Sequence, residues 1–326
     1  MKLTFIDLFA GIGGFRSALE SFGAKCVFSS EWDKYAAKTY KENFGEEPAG
    51  DITKIKAENM PKHNILCGGF PCQAFSISGK QHGFSDARGT LFFDVARIAD
   101  FHKPEVLFLE NVKNLVKHDD GKTLKTIYRI LDEIGYDVFH DVLNASYFGV
   151  PQKRERVYFV CFRKNLKIKN FEFPKPTYTL VSLKDIAEPE AATKDFHLLR
   201  DDIKLAKKAI SQRMLLNPNP CRPIRVGIIN KGGQGERIYS EEGHAITLSA
   251  YGGGAAGKTG AYLINGHIRQ LTPRECLRVL GFQEAFHFPK GTTTHQAYKQ
   301  CGNSVVVPVI KKIFGKVQAV LEKSSL

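Results

Sequence analysis

Three short stretches carry residue types that could do covalent chemistry together: Gly68-Gly69-Phe70-Pro71-Cys72-Gln73, Glu110-Asn111-Val112 and Gln152-Lys153-Arg154-Glu155-Arg156. They offer a thiol, a carboxyl group and two guanidiniums, on segments that read as strand ends or loops. A thiolate can add to an electron-poor ring, and the other groups can hold the charge that develops there. Cytosine is such a ring. Its C5 is too weak a nucleophile to take a methyl group directly. Addition of a thiolate to C6 makes the ring an enamine, whose C5 can attack a sulfonium methyl. Cys72 is the candidate nucleophile, with a pKa expected to be lowered by nearby positive charge or a helix N-terminus. Glu110 would have to carry or share a proton at cytosine N3 as negative charge builds. Arg154 and Arg156 alternate with Glu155 on a β-prone segment and are expected on one face. Arg156 is assigned to the base carbonyl oxygen and Arg154 to holding Cys72 or Glu110. Asn111 is expected to orient the loop, and water to remove the final C5 proton.

A second group suits a nucleotide-type ligand. Asp7-Leu8-Phe9-Ala10-Gly11-Ile12-Gly13-Gly14 follows an apolar run and precedes a helical pattern, so Gly11 and Gly13 permit a tight turn at a strand's carboxyl end. Glu31 stands 20 residues after Gly11, where a carboxylate can accept hydrogen bonds from both hydroxyls of a ribose. Trp32, the single tryptophan, could lie against an adenine ring, and Asp51 could accept from its amino group. No lysine or arginine lies between Asp7 and Phe15, which favours a cationic sulfonium over a pyrophosphate. S-adenosylmethionine therefore fits better than NAD.

The elements that must position these groups are readable from periodicity. Short apolar runs at 3–9, 25–30, 64–67, 106–109, 137–143 and 156–162 read as strands, and amphipathic runs at 15–22, 34–44, 91–101 and 123–134 as helices. Their alternation predicts an α/β fold with a doubly wound, mostly parallel sheet. Residues 227–260 change character, with two glycine-rich loops between short β-prone segments, and 274–280 turns helical again. The expected division is a cofactor and nucleophile domain over 1–184 plus 301–326, a smaller recognition domain over 185–273, and a hinge over 274–300. The final segment, from Asn303, is expected to return to the large domain.

Composition narrows the partner. The chain has 326 residues and a formal net charge of +13, which favours an acidic partner such as nucleic acid. Seven cysteines without a Cys-x-x-Cys pair argue against a disulfide framework or a zinc site, so a reduced, cytoplasmic location and no metal are expected. No secretory signal or membrane span is visible.

In their order along the chain, from Asp7–Gly14 to Gly302-Asn303-Ser304, these motifs resemble those of the DNA cytosine-5 methyltransferases. The resemblance spans nearly the whole chain and implies that Phe9, Ile52, Pro71, Leu91 and Asn303 also surround the cofactor. A cytosine inside a duplex exposes neither face, so the base must be flipped out. Residues 76–89, with Ser76, Ser78, Lys80 and Arg88, read as a loop closing over DNA. The resemblance suggests that Gln234 enters the space left by the flipped base and that Ser78 meets it. Arg237 is the best candidate for bidentate contact with a guanine. Thr247, Tyr251, Gly253 and Gly254 would follow the duplex backbone. The recognition loops are similar to those of a GCGC-specific member, which implies methylation of the inner cytosine of the 5′ GC. Ala255-Ala256-Gly257 departs from the larger residues expected there. A monomer is expected, with a companion endonuclease implied by resemblance only. The rivals are a tRNA cytosine-5 methyltransferase, a catalytically silent DNA-binding relative and a nicotinamide-dependent oxidoreductase. The glycine-rich region tells against the first, Cys72 with Glu110 against the second, and Pro71-Cys72 with both arginines against the third.

Overall fold

Alternation of side chains across six strands builds a sheet whose central strands are buried on both faces. The computed structural model describes residues 3–71, 91–206 and 221–324. Strands β1 (Thr4–Leu8), β2 (Lys25–Ser30), β3 (Ile65–Gly69), β4 (Val106–Val112), β5 (Tyr136–Asn144) and β6 (Glu155–Arg163) lie in the order β2-β1-β3-β4-β6-β5. β1 pairs in parallel with β2 and β3, and β3 with β4, whereas β6 runs antiparallel between β4 and β5. Phe5, Cys67, Phe108 and Val160 face one way, into a core with helices α1 (Gly14–Glu20) and α7 (Val307–Ser324). Ile6, Leu66, Leu107 and Phe159 face the other, against α3 (Leu91–His102) and α4 (Lys122–Glu133). Burial on both faces explains why these strands read as nearly continuous apolar runs.

The chain turns back at the centre of this sheet. From β1 it moves outward to β2, then crosses to β3 on the other side of β1. Such a reversal leaves a crevice at the carboxyl ends of β1 and β3, where open α/β sheets bind ligands. Helix α2 (Lys34–Phe44) follows β2; its N-terminus is capped by Asp33, whose Oδ1 accepts from the Tyr35 and Ala36 amides at 2.9 and 3.2 Å.

A five-stranded sheet follows, in the order β11-β10-β9-β8-β7: β7 (Ile203–Leu205), β8 (Arg225–Ile229), β9 (Arg237–Ser240), β10 (Ala261–Ile264) and β11 (His267–Arg269). Its own apolar core is small, formed by Val226, Ile229, Ile238, Ala256 and Ala261. Ala245, Leu248, Tyr262, Ile264 and Leu271 instead join the core under the first sheet. Helix α5 (Pro273–Val279) opens with a capping box between Thr272 and Glu275, and the buried Glu275 also takes a two-pronged ion pair from Arg269, both contacts 2.7 Å. Helix α6 (Thr294–Asn303) then leads to α7, which packs on α1 with Phe22 edge-on to Phe314. No described helix is long and apolar enough to cross a membrane.

Candidate active site

The glycine turn after β1 is shaped by backbone that few residues adopt. Phe9 has φ 55°, costly for a bulky side chain, and Gly11 and Gly13 have φ 55° and 86°. A Cβ on Gly13 would meet the Phe44 ring at 2.2 Å, while one on Gly11 would meet nothing within 4 Å. Gly13 is therefore required by packing, and Gly11 leaves open space beside the crevice. The Gly11 amide donates to Glu31 Oε2 at 2.8 Å, and the Asp33 amide donates to Glu31 Oε1 at 2.7 Å. Each oxygen of this buried carboxylate keeps a further lone pair for a diol. Burial raises the Glu31 pKa, opposed by those backbone donors. Trp32 beside it is 80% exposed and presents a flat apolar face.

Asp51 arrives next to Glu31 because Ala49 bridges to the end of β2, accepting from the Glu31 amide and donating to the Ser29 carbonyl. Asp51 Oδ1 caps the short turn Ile52–Lys54 through the amide and hydroxyl of Thr53, which holds the Asp51 pKa below the usual carboxylate range. Its Oδ2 stands 4.0 Å from Lys54 Nζ. Ile52 is buried beneath, Leu91 begins α3, and Asn303 ends α6 with an exposed side chain. These residues offer open space, diol acceptors, a ring platform and an amine acceptor. They fit an adenosyl group.

On the other side of the crevice Phe70 and Pro71 continue from β3. Asn111 Nδ2 donates to the Phe70 carbonyl at 2.8 Å, so β4 pins the backbone that leads into Cys72. Glu110 lies within β4, opposite Gly69 on β3 and Tyr158 on β6. The residue is buried, its side chain 11% exposed, and Arg156 Nε stands 3.1 Å from Oε1. Burial raises the Glu110 pKa, and the charges of Arg156 and Arg154 pull against it. That balance suits a carboxyl that shares a proton.

The two arginines do different things. Arg154 precedes β6 and its two terminal nitrogens are engaged by backbone: Nη1 donates to the Leu248 carbonyl at 3.2 Å, and Nη2 to the Gly302 and Ser304 carbonyls at 3.0 and 2.7 Å, while its buried Nε has no hydrogen-bond partner among the described residues. It acts on Glu110 through its charge, and its hydrogen bonds go to backbone from the end of α6 and from the segment after β9. Arg156 lies inside β6, ion-paired with Glu110, and is only partly buried. It is the guanidinium left available to a ligand. Cys72, Ser76, Ser78, Lys80 and Arg88 lie outside the described residues.

The predicted recognition residues that the structure describes all lie at the surface. Gln234, Arg237, Thr247, Tyr251, Gly253 and Gly254 are all exposed, Tyr251 by 80%. Arg237 opens β9, and its Nε donates to the Gly232 carbonyl at 3.3 Å across the turn. Thr247 is tied by a 2.6 Å hydrogen bond to the Lys153 carbonyl, next to Arg154. The glycines serve each other: a Cβ on Gly235 would stand 2.1 Å from the Gly253 carbonyl oxygen, and one on Gly257 2.0 Å from the same oxygen. Two loops thus pack backbone against backbone, with the Ala256 amide donating to the Gly235 carbonyl at 3.0 Å.

Sequence reasoning missed two residues of this site. Asp33 could have been found as the acidic residue just before a helix, an N-cap signal. Lys299, which pairs with Asp33 at 2.7 Å from 266 positions away, left no local signal.

With this geometry in hand, comparison with known proteins is informative. The family described as C-5 cytosine-specific DNA methylase matches residues 3–319. Type II methyltransferase M.HhaI of Haemophilus parahaemolyticus is 54% identical over 311 residues, covering 95% of this chain and 93% of that protein. Type II methyltransferase M.HpaII of Haemophilus parainfluenzae is 45% identical, covering 97% and 90%. Among solved structures, Schizosaccharomyces pombe (S. pombe) Dnmt2 methyltransferase superposes with a TM-score of 0.71 at 19% identity, covering 99% and 100%. A Spodoptera frugiperda DNMT2 mutant gives 0.70 at 20%, covering 97% and 99%. These two establish the fold.

Proposed function

The chain belongs to the C-5 cytosine-specific DNA methylase family, and from that premise we propose that it methylates C5 of a cytosine flipped out of double-stranded DNA. We assign the target GCGC, at the inner cytosine of the 5′ GC, within a restriction-modification system. The observation that carries this reading is the Glu110–Arg156 pair at the end of β4, next to the backbone that Asn111 pins ahead of Cys72. The assignment of GCGC is supported by the 54% identity with M.HhaI.

S-adenosylmethionine, when bound, supplies an electrophilic methyl group on a cationic sulfur. Glu31 would hold its ribose, Trp32 and Asp51 its adenine, and Phe9, Gly11, Gly13, Ile52, Pro71, Leu91 and Asn303 would line the pocket. The Cys72 thiolate adds to cytosine C6 while Glu110 shares its proton with N3, so the ring electrons collect at C5. Arg156 holds the base carbonyl oxygen, and its charge keeps that oxygen's growing negative charge in place. C5 would then take the methyl group as its bond to sulfur breaks and the electron pair stays on the departing S-adenosylhomocysteine. The C5 proton would leave to water, and the electrons of that C–H bond would re-form the C5–C6 double bond and expel the Cys72 thiolate, the N3 proton returning to Glu110. Arg154 holds the end of α6 and the Leu248 segment together behind this chemistry.

We assign the cofactor and nucleophile domain to 1–184 plus 301–326, the recognition domain to 185–273 and the hinge to 274–300. Gln234 and Ser78 fill the space of the flipped base, and Arg237 reads a guanine. Ser76, Lys80, Arg88, Thr247, Tyr251, Gly253 and Gly254 hold the duplex backbone. The protein acts as a monomer in the cytoplasm, beside an endonuclease for the same site. Labelled S-adenosylmethionine should transfer its methyl to a GCGC duplex and not to a GGCC duplex, with all label recovered as 5-methylcytosine. Equal labelling of both would overturn the assigned site, and label in another base would overturn the reaction.

A further inference from the structure

Helix α6 reaches the adenosyl side of the site through a single charge. Lys299 stands one turn before Asn303, so both lie on one face of the helix. Its Nζ is 2.7 Å from Asp33 Oδ2, in a pair whose side chains are 32% and 20% exposed. Asp33 is engaged at every polar position. Its Oδ1 caps α2, and its amide donates to Glu31 Oε1, while Glu31 Oε2 takes the Gly11 amide. A continuous polar chain therefore runs Lys299–Asp33–Glu31–Gly11, from α6 to the glycine turn after β1. Exposed Trp32 sits inside it, between its two carboxylates.

The same helix is held elsewhere by contacts that do not involve Lys299. Thr39 on α2 donates to Gln300 Oε1 at 2.7 Å, and the Gly302 and Ser304 carbonyls take Arg154. Gly302 packs so closely that a Cβ there would stand 2.2 Å from the Ala250 amide nitrogen. With α6 fixed by those contacts, the Lys299 pair is not needed to dock the helix. What it does fix is the turn over residues 31–33. Without it Asp33 keeps its cap but loses its lateral restraint, and the Glu31 oxygens and the Trp32 ring lose theirs with it.

We propose that Lys299 is a positioning residue for the adenosyl group, acting through Asp33 to hold Glu31 and Trp32 in their binding geometry. The inference rests on the proposed cofactor. Because Trp32 is the only tryptophan, its fluorescence reports the site directly. Titration with S-adenosylhomocysteine, followed by Trp32 fluorescence and by calorimetry, compares wild type with Lys299→Met, Lys299→Arg, Asp33→Asn and the Met/Asn double variant. The expected result for Lys299→Met is binding weakened about two- to fivefold. At saturating S-adenosylmethionine its kcat should stay close to wild type, so the loss falls on the cofactor KM. Lys299→Arg should recover most of the affinity, and the double variant should bind no more weakly than Asp33→Asn alone. Unchanged affinity in Lys299→Met, or additive losses in the double variant, would overturn the inference. If wild type itself shows neither heat nor a fluorescence change, the cofactor reading falls and this inference with it.

Discussion

At the scale of single residues, the chemistry depends on carboxyls whose protons are governed by burial. Glu110→Gln keeps the volume but cannot share a proton in the same way. Single-turnover methyl transfer should fall about 10²–10⁴-fold, while S-adenosylhomocysteine binding holds. Burial sets the Glu110 pKa above the ordinary carboxylate value, against the arginine charges. Transfer should therefore decline as pH rises through that raised pKa, an alkaline limb that a pH–rate profile of wild type would display. Asp7 gives a cleaner test of sign. It is fully buried, its carboxyl oxygens have no well-formed hydrogen-bond partner among the described residues, and burial raises its pKa well above the usual value. A carboxyl raised in the folded state contributes stability below its unfolded pKa and loses it as pH rises through the folded one. Asp7→Asn removes that loss, so its melting temperature relative to wild type should be higher at pH 8 than at pH 4. The reverse order would contradict a protonated Asp7. Residue types and spacing made Glu110, Arg154 and Arg156 legible as a group. The division of labour between the arginines was not legible, because it depends on Leu248, Gly302 and Ser304, which lie more than 90 positions away.

At the scale of elements, the sequence was most readable where burial repeats strictly. The predicted strand at 25–30 and helix at 34–44 coincide with β2 and α2. The run predicted at 106–109 stops early, since β4 continues through Glu110 and Asn111 to Val112. Polar residues ended the apolar pattern there, while β6 supplied the pairing that extends the strand. In sequence the two glycine loops read as a change of character between β-prone segments, with Gly253 and Gly254 expected along the duplex backbone. Their close approaches turn out to be to one another, a tertiary fact that composition cannot express. A Cβ at Gly235 would collide with the Gly253 carbonyl, and the position has φ 76°. Gly235→Ala should thus raise the KM for DNA at least tenfold, about 1.4 kcal/mol, with S-adenosylhomocysteine binding untouched. Parallel losses of both would show that the loops do not act separately from the cofactor site. Arg154→Met removes the donor shared by three carbonyls. It should cost roughly 3 kcal/mol, read as a lower urea midpoint, because the end of α6, the Leu248 segment and the start of β6 lose their common tie.

At the scale of the molecule, a basic chain carries two sheets, and the crevice at the carboxyl ends of β1 and β3 lies in the first. The segment proposed for recognition enters the main core through Ala245, Leu248 and Tyr262, so packing sets it relative to Glu110 and Arg156. The net charge of +13 predicts DNA binding that weakens steeply with salt. Affinity for a GCGC duplex, measured from about 50 to 200 mM salt, should fall linearly on logarithmic axes, and a flat response would argue against a phosphate-tracking surface. The central claim is the transient bond from Cys72 to a cytosine in DNA. It is tested most directly with S-adenosylmethionine and a GCGC duplex whose target cytosine carries fluorine at C5. Fluorine cannot leave as a proton does, so the protein–DNA adduct should accumulate and survive denaturation with wild type, and be absent with Cys72→Ala. Methyl transfer to ordinary GCGC DNA without any such adduct, or an adduct that persists in Cys72→Ala, would contradict the account.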